Sequence, residues 1–195
     1  MFINNSQRLP IPSLAPEVWY AALQHDISPR FIPMQEDSRV YLEALRYERT
    51  PEAVIHFSEN CSQLTDYGYW FLLSTLWVSY TGWSELELWK RLFKARRQGR
   101  RECLMKPKEM EFYRLLPQQV LCYRAHRPGE QDWISYTLDL DIARRFAKER
   151  EVATLSAYQI LRRDLLALFL RRGEYEVLCL DRKKTRLVEK IGVAA

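Results

Sequence analysis

Arg172-Gly173-Glu174-Tyr175-Glu176-Val177-Leu178-Cys179-Leu180 is the stretch on which the fold turns. A Leu-rich run, residues 164–171, leads into it and predicts an amphipathic helix. Gly173 is placed to end that helix in a left-handed turn. The run after it is apolar and rich in strand formers, so the chain passes from helix to strand here. Alternate side chains of a strand share a face, which sets Glu174 and Glu176 side by side at the mouth of a buried strand. Two like charges so placed are costly. Spacing alone also fits two solvated edge carboxylates.

Working outward, Asp181-Arg182-Lys183-Lys184 predicts a turn into a last strand from Thr185 to Val188 or beyond. Upstream, residues 152–160 alternate weakly and predict a strand. Val120-Leu121-Cys122-Tyr123-Arg124 predicts another, and Trp133-Ile134-Ser135-Tyr136-Thr137 a third, with the polar loop of residues 127–132 between them. Asp139 or Thr137 is suited to cap a helix over residues 140–148. On it Ile142 and Phe146 share one face with Ala143 and Ala147 beside them, which is the pattern of core packing. Short strands separated by single helices make the C-terminal part mixed and the whole chain α+β.

The N-terminal half predicts helices only. Pro10, Pro12, Pro16, Pro29 and Pro33 punctuate the first 35 residues, with one short helix over residues 16–23. Further helices are predicted over residues 37–47 and 52–57, and His56 on the latter reads as a packed histidine. Residues 64–93 are strongly aromatic and predict two helices, 69–79 and 84–95, broken at Thr81-Gly82. Ser84 and Glu87 have capping-box spacing. These aromatics read as a helical core before a base-stacking platform. Pro107 and Pro117 bracket one more helix, residues 108–116. The organisation expected is a helical, aromatic-rich region over residues 1–104 and a mixed core over residues 105–195, in one continuous globule.

The chain has 195 residues, 47% of them hydrophobic, enough for a sizeable core. Cys61, Cys103, Cys122 and Cys179 are scattered without zinc spacing, which predicts free thiols in a reducing compartment and no metal. The first residues carry no secretory pattern. The longest apolar run is too short to span a bilayer. A cytoplasmic protein without membrane attachment is expected. Net charge is +5, and seven of the twelve residues 90–101 are Lys or Arg: Lys90, Arg91, Lys94, Arg96, Arg97, Arg100 and Arg101. Some of that charge suits a helix C-terminus. The density exceeds what capping needs and fits a phosphate-backbone contact as well as a solvated basic helix end.

Three polar elements fall at strand ends in the C-terminal part: Arg124, Ser135-Tyr136-Thr137, and the Glu174/Glu176 pair. With Tyr123-Arg124-Ala125-His126, Ser135-Tyr136-Thr137 and Glu174-Tyr175-Glu176 in this order, the chain resembles the ADP-ribosyltransferase superfamily of the Arg–Ser–Glu type. The helix over residues 141–147, with its Ala and Phe, looks like the one in small phage and prophage members. The resemblance covers residues 105–188. Tyr136 and Thr137 depart from a Ser-Thr-Ser segment, and Arg124 and Ser135 are a compact eleven residues apart.

The resemblance implies a compact split β-sandwich behind the helical half, and an enzyme that uses NAD as substrate. Loss of nicotinamide builds positive charge on the ribose, and a carboxylate beside it stabilises that charge. Glu176 is expected in this role, with Glu174 on the acceptor side as a positioning group or base. Arg124 is expected on the anionic part of NAD, since a guanidinium binds phosphate bidentately. Ser135 is expected to orient Glu176. Tyr123, Tyr136 or Phe146 would stack on nicotinamide, Thr137 completes the polar segment, and His126 would reach the cofactor ribose.

The expected activity is mono-ADP-ribosylation of a macromolecule. A Glu two residues before the catalytic one fits a protein acceptor, commonly Arg, whereas the basic run favours RNA or other nucleic acid. Small members of this kind act as toxins or defence effectors, which implies a neutralising antitoxin, and the aromatic half offers a surface for one. The rival from another class is a non-catalytic, basic nucleic-acid-binding protein. A phosphotransferase acting from RNA to NAD uses a basic catalytic set, which the late Glu pair does not fit.

Overall fold

The computed structural model describes residues 35–47, 49–80 and 85–193. The expected helix over residues 16–23, the break at Thr81-Gly82 and the Ser84 cap lie outside the described residues. Six α-helices come first: α1 (Gln35–Leu45), α2 (Pro51–Asn60), α3 (Asp66–Ser79), α4 (Leu86–Phe93), α5 (Arg100–Leu104) and α6 (Pro107–Leu115). A mixed region comes next: β1 (Gln119–Arg124), β2 (Ser135–Thr137), α7 (Leu140–Glu149), β3 (Thr154–Leu161), β4 (Ala167–Phe169), β5 (Glu176–Leu178) and β6 (Thr185–Gly192). The fold is α+β. No helix among the described residues is long and apolar enough to cross a membrane.

α3 is the axis of the helical half. It is apolar nearly all round, the pattern of a helix largely enclosed by protein, and Tyr69, Trp70, Leu72, Leu73 and Leu76 are inside while Tyr67, Phe71 and Trp77 are half-buried. Its start is fixed by a buried relay: Asp37 accepts from the Thr65 amide at 2.8 Å and from the Thr65 hydroxyl at 2.6 Å, and that hydroxyl accepts from the Gly68 amide at 3.0 Å. α4 is amphipathic and buries Leu88, Trp89, Leu92 and Phe93 against α3 and its surroundings. Two hydrogen bonds tie α3 to α4 and the segment after it, Tyr69 hydroxyl to the Leu92 carbonyl at 2.8 Å and Trp70 Nε1 to the Gln98 carbonyl at 2.9 Å.

The six strands form one antiparallel sheet, ordered β4-β5-β2-β1-β3-β6. β1 pairs with β3 from Gln119↔Leu161 to Arg124↔Ser156, whereas β1 and β2 are in register only at Tyr123↔Thr137. One apolar cluster runs from Trp70 and Phe93 in the helices to Ile134, Leu168 and Val177 in the sheet, so the two halves share a core. A smaller cluster joins Ala143 and Ala147 of α7 to Ala125 and Leu155. The buried Glu109 carboxylate of α6 accepts from the Leu170 amide at 2.9 Å and Arg171 Nε at 3.1 Å, and pins the sheet to the helices.

The stretch around Glu174 and Glu176 folds differently from its expectation. Residues 164–171 are not a helix: a 3-10 turn (Arg162–Asp164) leads into β4, whose three residues are all buried. A short continuous apolar run fits a strand buried on both faces as well as a helix, and pairing with β5 decides it. Gly173, at φ 65°, turns the chain from β4 toward β5 instead of ending a helix. Tyr175 also takes a left-handed φ, 47°, and β5 starts only at Glu176. Glu174 is therefore outside the strand, and strand alternation is not what aligns it with Glu176.

Candidate functional site

The site lies where β1, β2 and β5 meet the helical half. It is a cleft of about 870 Å³, with Trp77, Tyr80, Leu86 and Trp89 on the helical side and β1, β2, α7 and residues 172–176 on the other. Antiparallel pairing sets Thr137 opposite Glu176 and Ser135 opposite Leu178. Strand alternation puts Ser135 and Thr137 on one face and Tyr136 on the other.

Glu176 is the buried carboxylate of the cleft, at 6% exposure. The Ser135 hydroxyl donates to its Oε1 at 2.5 Å. Trp77 Nε1 donates to its Oε2 at 3.1 Å, and Arg172 Nη2 stands 3.7 Å from the same oxygen. Burial raises the Glu176 pKa above the usual carboxylate range, while the Arg172 charge and the Ser135 and Trp77 hydrogen bonds pull against it. Glu174 is beside it because Arg172 holds both: Arg172 Nη2 donates to Glu174 Oε2 at 2.7 Å. The Thr137 hydroxyl fixes the Glu174 carbonyl at 2.6 Å. Three expected residues, Ser135, Glu174 and Glu176, thus meet in one place.

Arg124 reaches the same cleft with its guanidinium engaged by the protein. Nη1 donates to the Ser135 carbonyl at 2.7 Å, which ties the end of β1 to β2. Nε and Nη2 donate to the two oxygens of Glu130, at 2.9 and 2.5 Å. His126 stands between Glu130 Oε2, 2.9 Å from its Nδ1, and the Tyr158 hydroxyl, 2.8 Å from its Nε2. Burial would raise the Glu130 carboxyl, but the hydrogen bonds from His126 and Arg124 and their charges outweigh it and hold the pKa at about 2. The loop carrying Glu130 is anchored at Asp132 by Lys90 and at the Gln131 carbonyl by Arg182.

Of the expected stacking residues, Tyr136 is placed in the core: its hydroxyl accepts from Trp133 Nε1 at 2.9 Å, and its ring meets Tyr158 at 5.4 Å. Tyr123 and Phe146 line the cleft, and part of Tyr136 reaches its wall as well. The guanidinium groups of Arg145 and Arg150 lie 5.3 and 5.1 Å from the Phe146 ring centre. Arg127, Arg145 and Arg150 outnumber Glu149 at this end of the cleft and leave it net positive, with Arg145 Nε 3.6 Å from Glu149 and Arg150 Nη1 donating to the Ala125 carbonyl. Burial first, then the like charges of Arg124 and Arg127, lower the Arg150 pKa to about 10. Among the described residues no group of His, Cys, Asp or Glu is arranged to hold a metal ion.

The basic run is divided by the fold. Arg97 is spent on the Leu64 and Cys61 carbonyls, at 2.8 and 2.9 Å. Arg101 is spent on the Arg163 and Leu165 carbonyls, Arg100 on the Phe93 carbonyl, and Lys90 on Asp132 and Glu87. Arg91, Lys94 and Arg96 remain on the exposed surface. Sequence reasoning missed Trp77, Glu130 and Arg172 as site residues, and only Arg172, adjoining the Glu pair, carried a visible signal. No protein-family model, curated protein or solved structure matches this chain.

Proposed function

We propose that the chain is an NAD-dependent mono-ADP-ribosyltransferase that modifies a macromolecule, with Glu176 as the carboxylate beside the reacting ribose. The observation that carries the reading is the Glu176 carboxylate, buried at 6% exposure in a cleft wall and held by the Ser135 hydroxyl at 2.5 Å. A desolvated carboxylate stabilises positive charge on a neighbouring sugar far better than one in water. Ser135 fixes its direction. Arg124 acts on the backbone of β2 and so positions Ser135, and the anionic part of NAD falls to Arg127, Arg145 and Arg150. Glu174, outside the strand and paired with Arg172, is the acceptor-side group. The narrow β1–β2 junction, one residue pair wide, supports the split-sandwich reading, because it divides the sheet into β4-β5-β2 and β1-β3-β6.

The acceptor we favour is RNA or another nucleic acid, on the strength of the exposed Arg91, Lys94 and Arg96. The same surface supports the rival reading, a nucleic-acid-binding protein without catalysis. One experiment separates them. The protein is incubated with NAD labelled in its adenylate phosphate and with cell lysate, and the label is traced after nuclease or protease digestion. The proposal expects nuclease-sensitive label and nicotinamide release, both reduced at least about 10²-fold in Glu176→Gln. RNA retention with no label and no nicotinamide release, or a Glu176→Gln protein at wild-type rate, overturns it. Protease-sensitive label keeps the transferase and moves the acceptor to protein. Growth arrest on expression of the wild type, absent for Glu176→Gln, is the outcome a toxin gives.

A further inference from the structure

We infer that Trp77 of α3 is a positioning residue for Glu176, so that the helical half supplies a working part of the site. The inference rests on the transferase reading of Glu176. Ser135 satisfies one oxygen of the buried carboxylate, and Trp77 Nε1 satisfies the other at 3.1 Å, across ninety-nine residues of sequence. Held on both oxygens by donors from two different layers, the carboxylate is fixed in rotation as well as in place.

The chemistry of the donor matters. An indole N–H only donates and does not titrate, so its bond to Glu176 is present at every working pH. It favours the ionised form, which desolvation disfavours. Its ring has little room to turn: Trp89 meets it edge-on with ring centres 5.0 Å apart, and Phe93 does so at 5.6 Å. Trp77 is partly exposed to the cleft, so it also forms the wall next to the reacting carboxylate. Core packing alone would need the ring but not the direction of its nitrogen.

Trp77→Phe keeps most of the aromatic body and removes the donor. With NAD cleavage as the readout, kcat falls roughly tenfold to a hundredfold, the range for a hydrogen bond to a charged group. KM for NAD stays within about threefold, since the lost contact acts on the carboxylate and not on bound NAD. The acid limb of the kcat profile moves to higher pH, which lost packing would not produce. Trp77→Gln restores an N–H donor without the ring, and returns the limb toward its wild-type position even where the smaller side chain lowers stability. Wild-type kcat and limb in Trp77→Phe, with Glu176→Gln inactive, overturn the role of Trp77 and leave the transferase reading standing. A wild-type protein that releases no nicotinamide overturns both.

Discussion

Glu130 places both carboxylate oxygens on the guanidinium of Arg124, 2.9 Å from Nε and 2.5 Å from Nη2. The two side chains are 12% and 11% exposed, so most of each charge is withdrawn from water and the pair is held chiefly by its own hydrogen bonds. This pair fixes the direction in which Arg124 Nη1 meets the Ser135 carbonyl, and through it the strand that carries the Ser135 hydroxyl.

Glu130→Gln should therefore destabilise the protein by about 2 kcal/mol, the scale of a charge-assisted hydrogen bond lost from a buried partner. The pH dependence has a definite sign. The folded carboxyl is held at about 2, below its ordinary value. The stability it contributes is present above the ordinary carboxylate range and is lost as pH falls toward 2. Urea unfolding of wild type and variant should show a gap that is constant at neutral pH and closes in acid.

Glu176 carries the opposite sign. Burial raises its folded pKa. Its contribution to stability is complete below the unfolded value and is lost as pH rises through the folded one. Glu176→Gln, which resembles the protonated form, should be more stable than wild type at pH 8 by about 1 kcal/mol, a gain of the kind found where function keeps a strained group. On the transferase reading activity should move the other way, since the ionised form is the one proposed to stabilise the ribose: it should fall as pH drops through the raised pKa. Ser135→Ala removes a donor to the ionised form and should shift that acid limb upward. Thermal unfolding against pH, and the pH profile of nicotinamide release, read the two halves.

Gly68 tests the helical half alone. It lies on α3, where Ala ordinarily gains up to about 1 kcal/mol over Gly. A Cβ at Gly68 would stand 2.4–2.5 Å from the carboxylate atoms of Asp37. That carboxylate holds the Thr65 amide and hydroxyl that start the helix. Gly68→Ala should destabilise by about 2 kcal/mol, the scale of an overpacked interior, and Tm should fall accordingly. A rise in Tm would mean that Asp37 moves without loss.

The parts of the site legible in the sequence are those whose residue types are unusual for their place. Arg124, Ser135 and Glu176 stand out as polar groups at the ends of apolar strands. Trp77 does not, because an aromatic in an apolar helix has the same appearance whether its nitrogen is idle or bonded. Glu130 sits in a polar loop, where a carboxylate is ordinary until β1 places Arg124 beside it. The inward packing of the Tyr136 ring is legible as well, since strand alternation puts that side chain on the face opposite Ser135 and Thr137. The β4 run is illegible for a different reason. Its apolar stretch has no period to distinguish strand from helix, and pairing with β5 is a long-range fact.

The division of the basic run separates stability from binding. Arg97 bridges the Leu64 and Cys61 carbonyls and stacks 4.6 Å from the Tyr69 ring centre. Its replacement by Ala should cost about 2 kcal/mol in stability, because two inward carbonyls lose a charged donor. Lost RNA binding in such a protein would report unfolding as readily as a contact. Arg91, Lys94 and Arg96 are exposed, and replacing all three should leave stability within about 0.5 kcal/mol per site. If they meet a phosphate backbone, the triple variant should weaken RNA binding and lower the slope of log affinity against log salt by about two, at roughly 0.7 per single-stranded phosphate contact. An unchanged slope in this folded variant removes that surface from the proposed acceptor site, and with it the observation that favours nucleic acid over protein as the acceptor.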